Sequence, residues 1–467
     1  MSILTRPTWV RWFDEFLYKP AYFFLVGFLT LCANICGGEL FTYTCFTLIV
    51  LYLCIFGKDL LPVLPLAICA YISPSRQNNP GVNDGSVFSL AEGGAYILVL
   101  AGIMILGLLY RLIADRKLGR SAFWTCKRKL LPGILLLCAS YLFSGLGTSQ
   151  LSAVGKQNLV FALIQCASIL VLYYVLTAMV HWEKAPVAYL AWTGMCVGYV
   201  LLLEMAYIHL QHDVIRYGTI SRQIIYSGWG HYNNFGVLLA AMIPFPFFLT
   251  GKGKHSIVFY LSALLFLGGA FFTFSRSSMI FASLAFCVSF AVSLIHNRRI
   301  KTGIAVLTLI VLAGLSVCFL YSDKLLHLFR SLLEYGTDSG GRFAMYEAGI
   351  RQFLDYPLFG GTFYPVDFSL FSWSTSEAFV AFFPPRWHNT IIQILASCGI
   401  VGITAYAIHR WQTLLLFLRR PSCKKMFAFL SMLTLLGCSL LDCHMFNVGP
   451  MLFYSMMLAF AEKKLDK

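Results

Sequence analysis

The sequence predicts an all-α polytopic membrane protein of about 12 to 14 transmembrane helices with one large extracytoplasmic loop. Three observations predict it. Of 467 residues, 59% are hydrophobic and only 12% charged, against roughly 25% charged in an ordinary soluble domain. Apolar runs recur along the whole length, each near the ~20 residues a helix needs to cross ~30 Å of hydrocarbon. The basic residues fall in short clusters between those runs.

The net charge of +15 therefore reflects membrane orientation rather than a nucleic-acid surface, because no continuous basic stripe exists. The 15 cysteines do not form a disulfide framework either. Cys32, Cys45, Cys54, Cys138, Cys166, Cys196 and Cys287 lie inside apolar runs and read as small buried hydrophobes. At the N-terminus, Arg6, Arg11 and Lys19 interleave with Trp9 and Trp12, a pattern expected of a retained interfacial anchor.

Apolar runs bounded by charges, Gly and Pro place helices near 21–36, 39–56, 60–72, 92–110, 132–147, 158–180, 186–208, 235–250, 256–274, 277–295, 302–321, 389–409, 426–442 and 448–462. The third is short and carries Pro62 and Pro65, so a broken or re-entrant segment is expected there. With the N-terminus inside, about 25 of the 35 Lys and Arg fall on cytoplasmic segments, as the positive-inside rule requires. Loop 111–131 contributes most to this asymmetry. Both ends of the chain are then cytoplasmic.

Four regions follow: N-terminal helices over 1–208, central helices with arginine-bearing outer loops over 209–321, the large outer loop over 322–388, and C-terminal helices over 389–467. The loop holds five of the outer cations: Lys324, Arg330, Arg342, Arg351 and Arg386. It is too rich in aromatic residues for disorder, and loops of such length usually carry function. Within it, residues 340–357 have helical periodicity. Phe343, Tyr346, Ile350, Phe353 and Leu354 share one face, expected to lie on the membrane or on the bundle. Arg351 follows Glu347 by four positions and reads as a paired surface charge. Arg342, at the helix start, is better placed to reach a ligand.

Three constellations are candidates for chemistry. Arg276 is the sole charge in about 40 apolar residues, a length that as one helix would run ~60 Å, so the chain must turn near Ser275–Ser278. That arginine either snorkels at a tight turn or binds an anion at the membrane surface. Arg222 precedes a Gly228-Trp229-Gly230-His231 turn, after which Asn233 and Asn234 are expected to cap a helix. Arg386, His388 and Asn389 stand where the long loop ends and a helix begins. The positive end of a helix disfavours a second positive charge, so a neutral His388 is available as a general base. His209, His212 and Asp213 have a possible but common metal-ligand spacing. Glu204, Asp442 and His444 are expected at the interface.

Together, Arg222 with GWGHYNNFG, the Ser-Arg-Ser turn at 275–277, GGRFAMYEAGIRQFLDYPLFGG at 340–361 and WHNTIIQILASCGIVG at 387–402 resemble the O-antigen ligase and O-antigen polymerase family of bacterial envelope enzymes. Ser278 stands where that family commonly has Gly. The resemblance implies a fold like the C-type glycosyltransferases and metal-independent transfer of a glycan from an undecaprenyl diphosphate carrier to an acceptor hydroxyl outside the membrane, without a cofactor. It implies His388 as the base and Arg222, Arg276 and Arg342 as diphosphate ligands, with Arg386, Asn389 and His231 in support. Membrane lipids, the carrier-linked donor and a glycan or lipid-linked acceptor are the expected partners, with no nucleic acid. Ligase and polymerase differ only in the acceptor and stay open. A lipid-linked glycan flippase or other polysaccharide transporter is the alternative; it predicts internal repeats and midplane charges, neither of which stands out.

Overall fold

The computed structural model describes residues 7–57, 59–72, 94–117, 128–180, 186–211, 225–227, 230–251, 256–297, isolated positions between 301 and 316, 342–365, 384–419 and 422–462. These residues are helical apart from loops and a two-residue antiparallel ladder, β1 (Tyr226–Ser227) with β2 (Gly230–His231). The helices are α1 (Thr8–Phe16), α2 (Pro20–Cys36), α3 (Glu39–Ile55), α4 (Val63–Ile72), α5 (Ala95–Lys117), α6 (Leu131–Leu142), α7 (Leu151–Met179) and α8 (Pro186–Gln211). After the ladder come α9 (Tyr232–Met242), α10 (Pro244–Leu249), α11 (Ser256–Phe272), α12 (Arg276–Asn297), α13 (Arg342–Asp355), α14 (Thr390–Leu418), α15 (Cys423–Leu441), a 3-10 turn (His444–Phe446) and α16 (Val448–Glu462).

Among the described residues, six helical segments are long and apolar enough to cross a membrane, and a seventh is counted if α1 and α2, bent by 75°, form one span. Five more apolar helices, including α11, α15 and α16, are shorter. Apart from 302–321, which lies mostly outside the described residues, every sequence-read span overlaps a helix, though 235–250 is divided between α9 and α10, the helix of 132–147 ends at Leu142 and that of 60–72 begins at Val63.

Exposure sorts the helices into layers. The segment Tyr232–Leu249 is 89% buried and forms the centre, whereas Ala95–Asp115 is 17% buried and lies at the periphery. Peripheral α5 still holds an internal ion pair, Arg111 Nε to Asp115 Oδ2 at 2.8 Å. Leu98, Val99, Ile105, Leu106, Leu109 and Ile113 face outward, as expected where lipid replaces water as the solvent.

The two ends of the bundle differ. At the start of α16, Asn447 Oδ1 accepts from Arg386. At the helix end, the Glu462 carboxylate accepts from the Lys129 and Leu130 amides at 2.6 and 3.0 Å. Residues 128–130 close the most basic loop of the chain. Fifteen helical residues, about 22 Å, separate that end from the one holding His388.

Several expectations need correction. Arg410 is not in a loop, because α14 continues to Leu418; the guanidinium lies 4.5 Å from the ring centroids of Tyr406 and Tyr454. Segment 60–72 is a short helix after a turn, with the Pro62 carbonyl accepting from the Tyr22 hydroxyl at 2.8 Å. Glu204 is buried inside the bundle, where its Oε1 accepts from Asn34 Nδ2 at 2.7 Å. The cysteines are mixed: Cys54, Cys138, Cys166 and Cys196 are buried, Cys32 and Cys45 are intermediate, and Cys287 is exposed on α12. The apolar stripe of α13, expected on the membrane or on the bundle, needs no correction: Phe343, Ile350 and Leu354 are exposed away from the bundle, while Met345, Gly349 and Gln352 pack inward. The bundle takes the small and amide residues because α13 lies close against α14. That leaves the larger apolar side chains facing away from the bundle.

Candidate functional site

The site is built around a break in α14. Gly399 has φ 63° and ψ −155°, so the helix is interrupted there. Residues 357–361 dock onto the gap through backbone: Ile400 N donates to Pro357 O at 2.8 Å, Val401 N to Leu358 O at 3.2 Å, and Gly361 N to Ala396 O at 2.7 Å. A side chain at Gly360 or Gly399 would collide with the facing backbone at 2.2 and 2.5 Å. Gln352 Nε2 adds a bond to Ala396 O at 3.0 Å. This docking fixes α13 beside the start of α14, and Tyr346 then donates its hydroxyl to the His388 carbonyl at 3.2 Å.

His388 has φ +50°, a left-handed conformation uncommon for a residue with a side chain. The next residue caps the helix. Asn389 Oδ1 accepts from the Ile391 and Ile392 amides at 2.9 and 3.1 Å, and its Nδ2 donates to Leu440 O at 2.9 Å. Asn389 thus ties the start of α14 to the end of α15, and its oxygen is committed to capping.

Just past α15, Asp442 collects several donors. Its Oδ1 lies 3.0 Å from His388 Nδ1 and 2.7 Å from the Cys443 amide, and its Oδ2 accepts from Asn233 Nδ2 at 3.1 Å. An Nδ1–H donated to a carboxylate leaves the lone pair of His388 on Nε2, the tautomer a general base needs. The carboxylate also stabilises the imidazolium that forms on proton uptake.

A second histidine lies behind the first. His444 Nδ1 lies 3.0 Å from Asn234 Oδ1, which also accepts from Asn447 Nδ2 at 2.7 Å, and His444 Nε2 is 3.8 Å from Asp442 Oδ2. Burial holds the His444 proton affinity below the usual histidine value. Arg386, His388 and Arg342 push the same way while Asp442 opposes them. The Tyr346 hydroxyl is raised, chiefly by burial, with Arg342 opposing. These groups therefore share one electrostatic neighbourhood.

Asn233 and Asn234 correct an expectation. They lie inside the first turn of α9, and their side chains reach Asp442 and His444 instead of capping the helix.

The structure brings His388, Asn389, Arg386 and Arg342 together. Arg342 Nη1 is 3.5 Å from Leu441 O, and Arg386 donates to Asn447. Arg276 is exposed at the first position of α12. Its turn meets the same end of the bundle: Cys438 Sγ is 3.6 Å from Ser277 O, and a side chain on Gly236 would strike Ser278 Oγ at 2.5 Å. Arg351 pairs with Glu347 at 2.5 Å on the outer face of α13, at 73% and 65% exposure, away from the site. Arg222, His212 and Asp213 lie outside the described residues. Of His231 only the backbone is described, in β2. His209 Nδ1 is 2.7 Å from the Met205 carbonyl of its own helix.

Sequence reasoning underrated Asp442, Asn233, Asn447 and Tyr346. The one legible signal was the short gap 442–447 between two apolar helices, which needs no Asp, His and Asn merely to turn.

These features define a multi-pass helical membrane protein with a histidine–carboxylate pair and arginines gathered at one end of its bundle. Residues 261–407 match the protein-family model described as O-antigen ligase, and the match supports assignment to the O-antigen ligase and polymerase family. The matched segment runs from within α11 to within α14 and contains Arg276, Arg342, Arg386, His388 and Asn389. Asn233, Asp442, Arg222 and His231 fall outside it. No curated protein matches the chain.

Proposed function

We propose that the protein is a glycosyltransferase that moves a glycan from an undecaprenyl diphosphate carrier to an acceptor hydroxyl at the outer face of the bacterial inner membrane. The carrying observation is the 3.0 Å contact between His388 Nδ1 and Asp442 Oδ1. His388 Nε2 takes the acceptor hydroxyl proton while that oxygen bonds to the anomeric carbon. The bond from that carbon to the diphosphate oxygen breaks, and the carrier diphosphate leaves with the electron pair. Arg276, Arg342 and Arg222 offset its charge, since guanidinium groups bind phosphate oxygens in pairs. Arg386 supports the site through Asn447, with His231 proposed as a further supporting residue. Arginine supplies the positive charge this departure requires, so the transfer is read as metal-independent, on a C-type-like fold.

The outer-face assignment is supported by the basic loop end bonding to Glu462, at the opposite end of α16 from Arg386. Both termini are then cytoplasmic.

The test incubates purified protein with a carrier-linked oligosaccharide and an acceptor and analyses the product. Transfer by the wild type and its loss in His388→Ala, with insertion and expression unchanged, is expected. Full transfer by His388→Ala would remove the site. Glycan from a deletion strain separates the acceptors: unattached long chains indicate a ligase, single repeat units a polymerase.

A further inference from the structure

At the end of the bundle opposite His388, a half-open cavity of about 650 Å³ lies beneath the elbow of α1 and α2, walled also by the start of α8. Three features describe it. One face of α1 carries Arg11, Asp14 and Glu15 toward it, a helical stripe at i, i+3 and i+4, and Tyr18 and Lys19 follow in the turn before α2. Another part of α1 leaves Trp9 and Trp12 at 56% and 63% exposure, the mark of a helix lying in the interface plane. The inner wall is apolar and aromatic, with Phe23, Leu53, Tyr189 and Trp192.

The charges are mixed. Asp59, which is buried, accepts from Tyr18 at 3.3 Å and from the Leu61 amide at 3.2 Å, and Asp14 accepts from Tyr52 at 3.1 Å. The side chains of Arg11, Glu15 and Lys19 make no hydrogen bond or ion pair with any described residue. Among the described residues, three carboxylates face two cations around an apolar floor, and Asp14 and Asp59 also hold partners within the chain.

We propose that this cavity binds a zwitterionic phospholipid headgroup bearing a primary ammonium, from the leaflet opposite the glycan site. Arg11 and Lys19 hold the phosphate. The ammonium, with three N–H donors, lies among Glu15, Asp14 and Asp59 and against the Trp192 ring. The glycerol and the first acyl carbons follow the apolar wall into the bilayer. An anionic headgroup without an amine would meet the three carboxylates with nothing to offer them. A trimethylated ammonium would lose its hydrogen-bond donors.

The test measures lipid retention by native mass spectrometry of the full chain. Phosphatidylethanolamine, phosphatidylcholine and phosphatidylglycerol with identical acyl chains are supplied as mixed micelles. Phosphatidylethanolamine is expected to be retained preferentially. Arg11→Ala and Lys19→Ala should each weaken that retention about fivefold, the effect of one interfacial cation, and Glu15→Gln should erase the preference over phosphatidylglycerol. All three substitutions are at exposed positions, so folding is preserved. Equal retention of the three lipids, or retention of phosphatidylethanolamine untouched by Arg11→Ala and Lys19→Ala together, would overturn the proposal. Neither result bears on glycan transfer.

Discussion

Asp442 and His388 lie 54 positions apart in the chain, yet an Asp442 carboxylate oxygen stands 3.0 Å from His388 Nδ1 while its other oxygen is held by Asn233 at 3.1 Å. Three elements converge there: the end of α15, the start of α14 and the first turn of α9. The carboxylate is fixed in orientation before any substrate arrives, so the imidazole tautomer is fixed as well.

Asp442→Asn keeps the shape but lets the side-chain amide donate toward Nδ1, favouring the tautomer with its proton on Nε2. The transfer rate should fall by roughly 10²- to 10⁴-fold with KM little changed. Steady-state kinetics on the purified variant would check it. A loss confined to KM would mean that Asp442 serves binding only.

Arg342 and Arg351 sit on the same helix with opposite expected fates. Arg342→Lys gives up bidentate phosphate geometry and should lower transfer about tenfold or more. Arg351→Ala breaks only an exposed pair and should change stability by no more than about 0.5 kcal/mol and leave transfer intact. Equal sensitivity of the two positions would contradict this placement of Arg342.

Gly399→Ala places a side chain at φ +63° and 2.5 Å from the Leu358 carbonyl. A cost of about 1–3 kcal/mol is expected, with residues 357–361 released from α14. Limited proteolysis after Tyr356 should then speed up. Unchanged digestion would show that the docking tolerates a Cβ.

His444 makes stability depend on pH in a definite direction. Burial lowers its folded-state proton affinity below the ordinary value of 6.5. The unfolded chain therefore takes up the proton first as pH falls. The stability from a neutral, buried His444 is complete above about pH 6.5 and declines as pH drops through the lowered folded value. Melting temperatures of the purified protein from pH 8 to 5 should fall on the acid side, and His444→Asn should flatten that fall. An identical slope in the variant would assign the acid sensitivity to other groups.

The bundle was legible because each span is a local property. A run of apolar residues such as 158–180 demands a helix in lipid whatever its neighbours are. His388, Arg342 and Arg276 were legible for a related reason, since a charge or imidazole at the edge of an apolar run stands out. Of the two places the sequence left open for the apolar stripe of α13, the membrane or the bundle, the structure leaves Phe343, Ile350 and Leu354 facing away from the bundle, because close packing against α14 takes Met345, Gly349 and Gln352. In a membrane protein the large apolar residues can face lipid, so polarity alone does not say which side is inside.

The sequence by itself determined the helical class, the positions of most spans, the charge asymmetry between their ends and the residue types able to move a proton or bind an anion. All of these depend on the composition of a short window of chain. Only the tertiary structure decided that Asp442 and Asn233 orient His388, that Asn389 is committed to a cap, and that Asn233 and Asn234 reach Asp442 and His444 instead of capping α9. Such pairings join residues far apart in sequence, and hydrogen-bond reach of about 3 Å is a property of how helices dock, which no local pattern encodes.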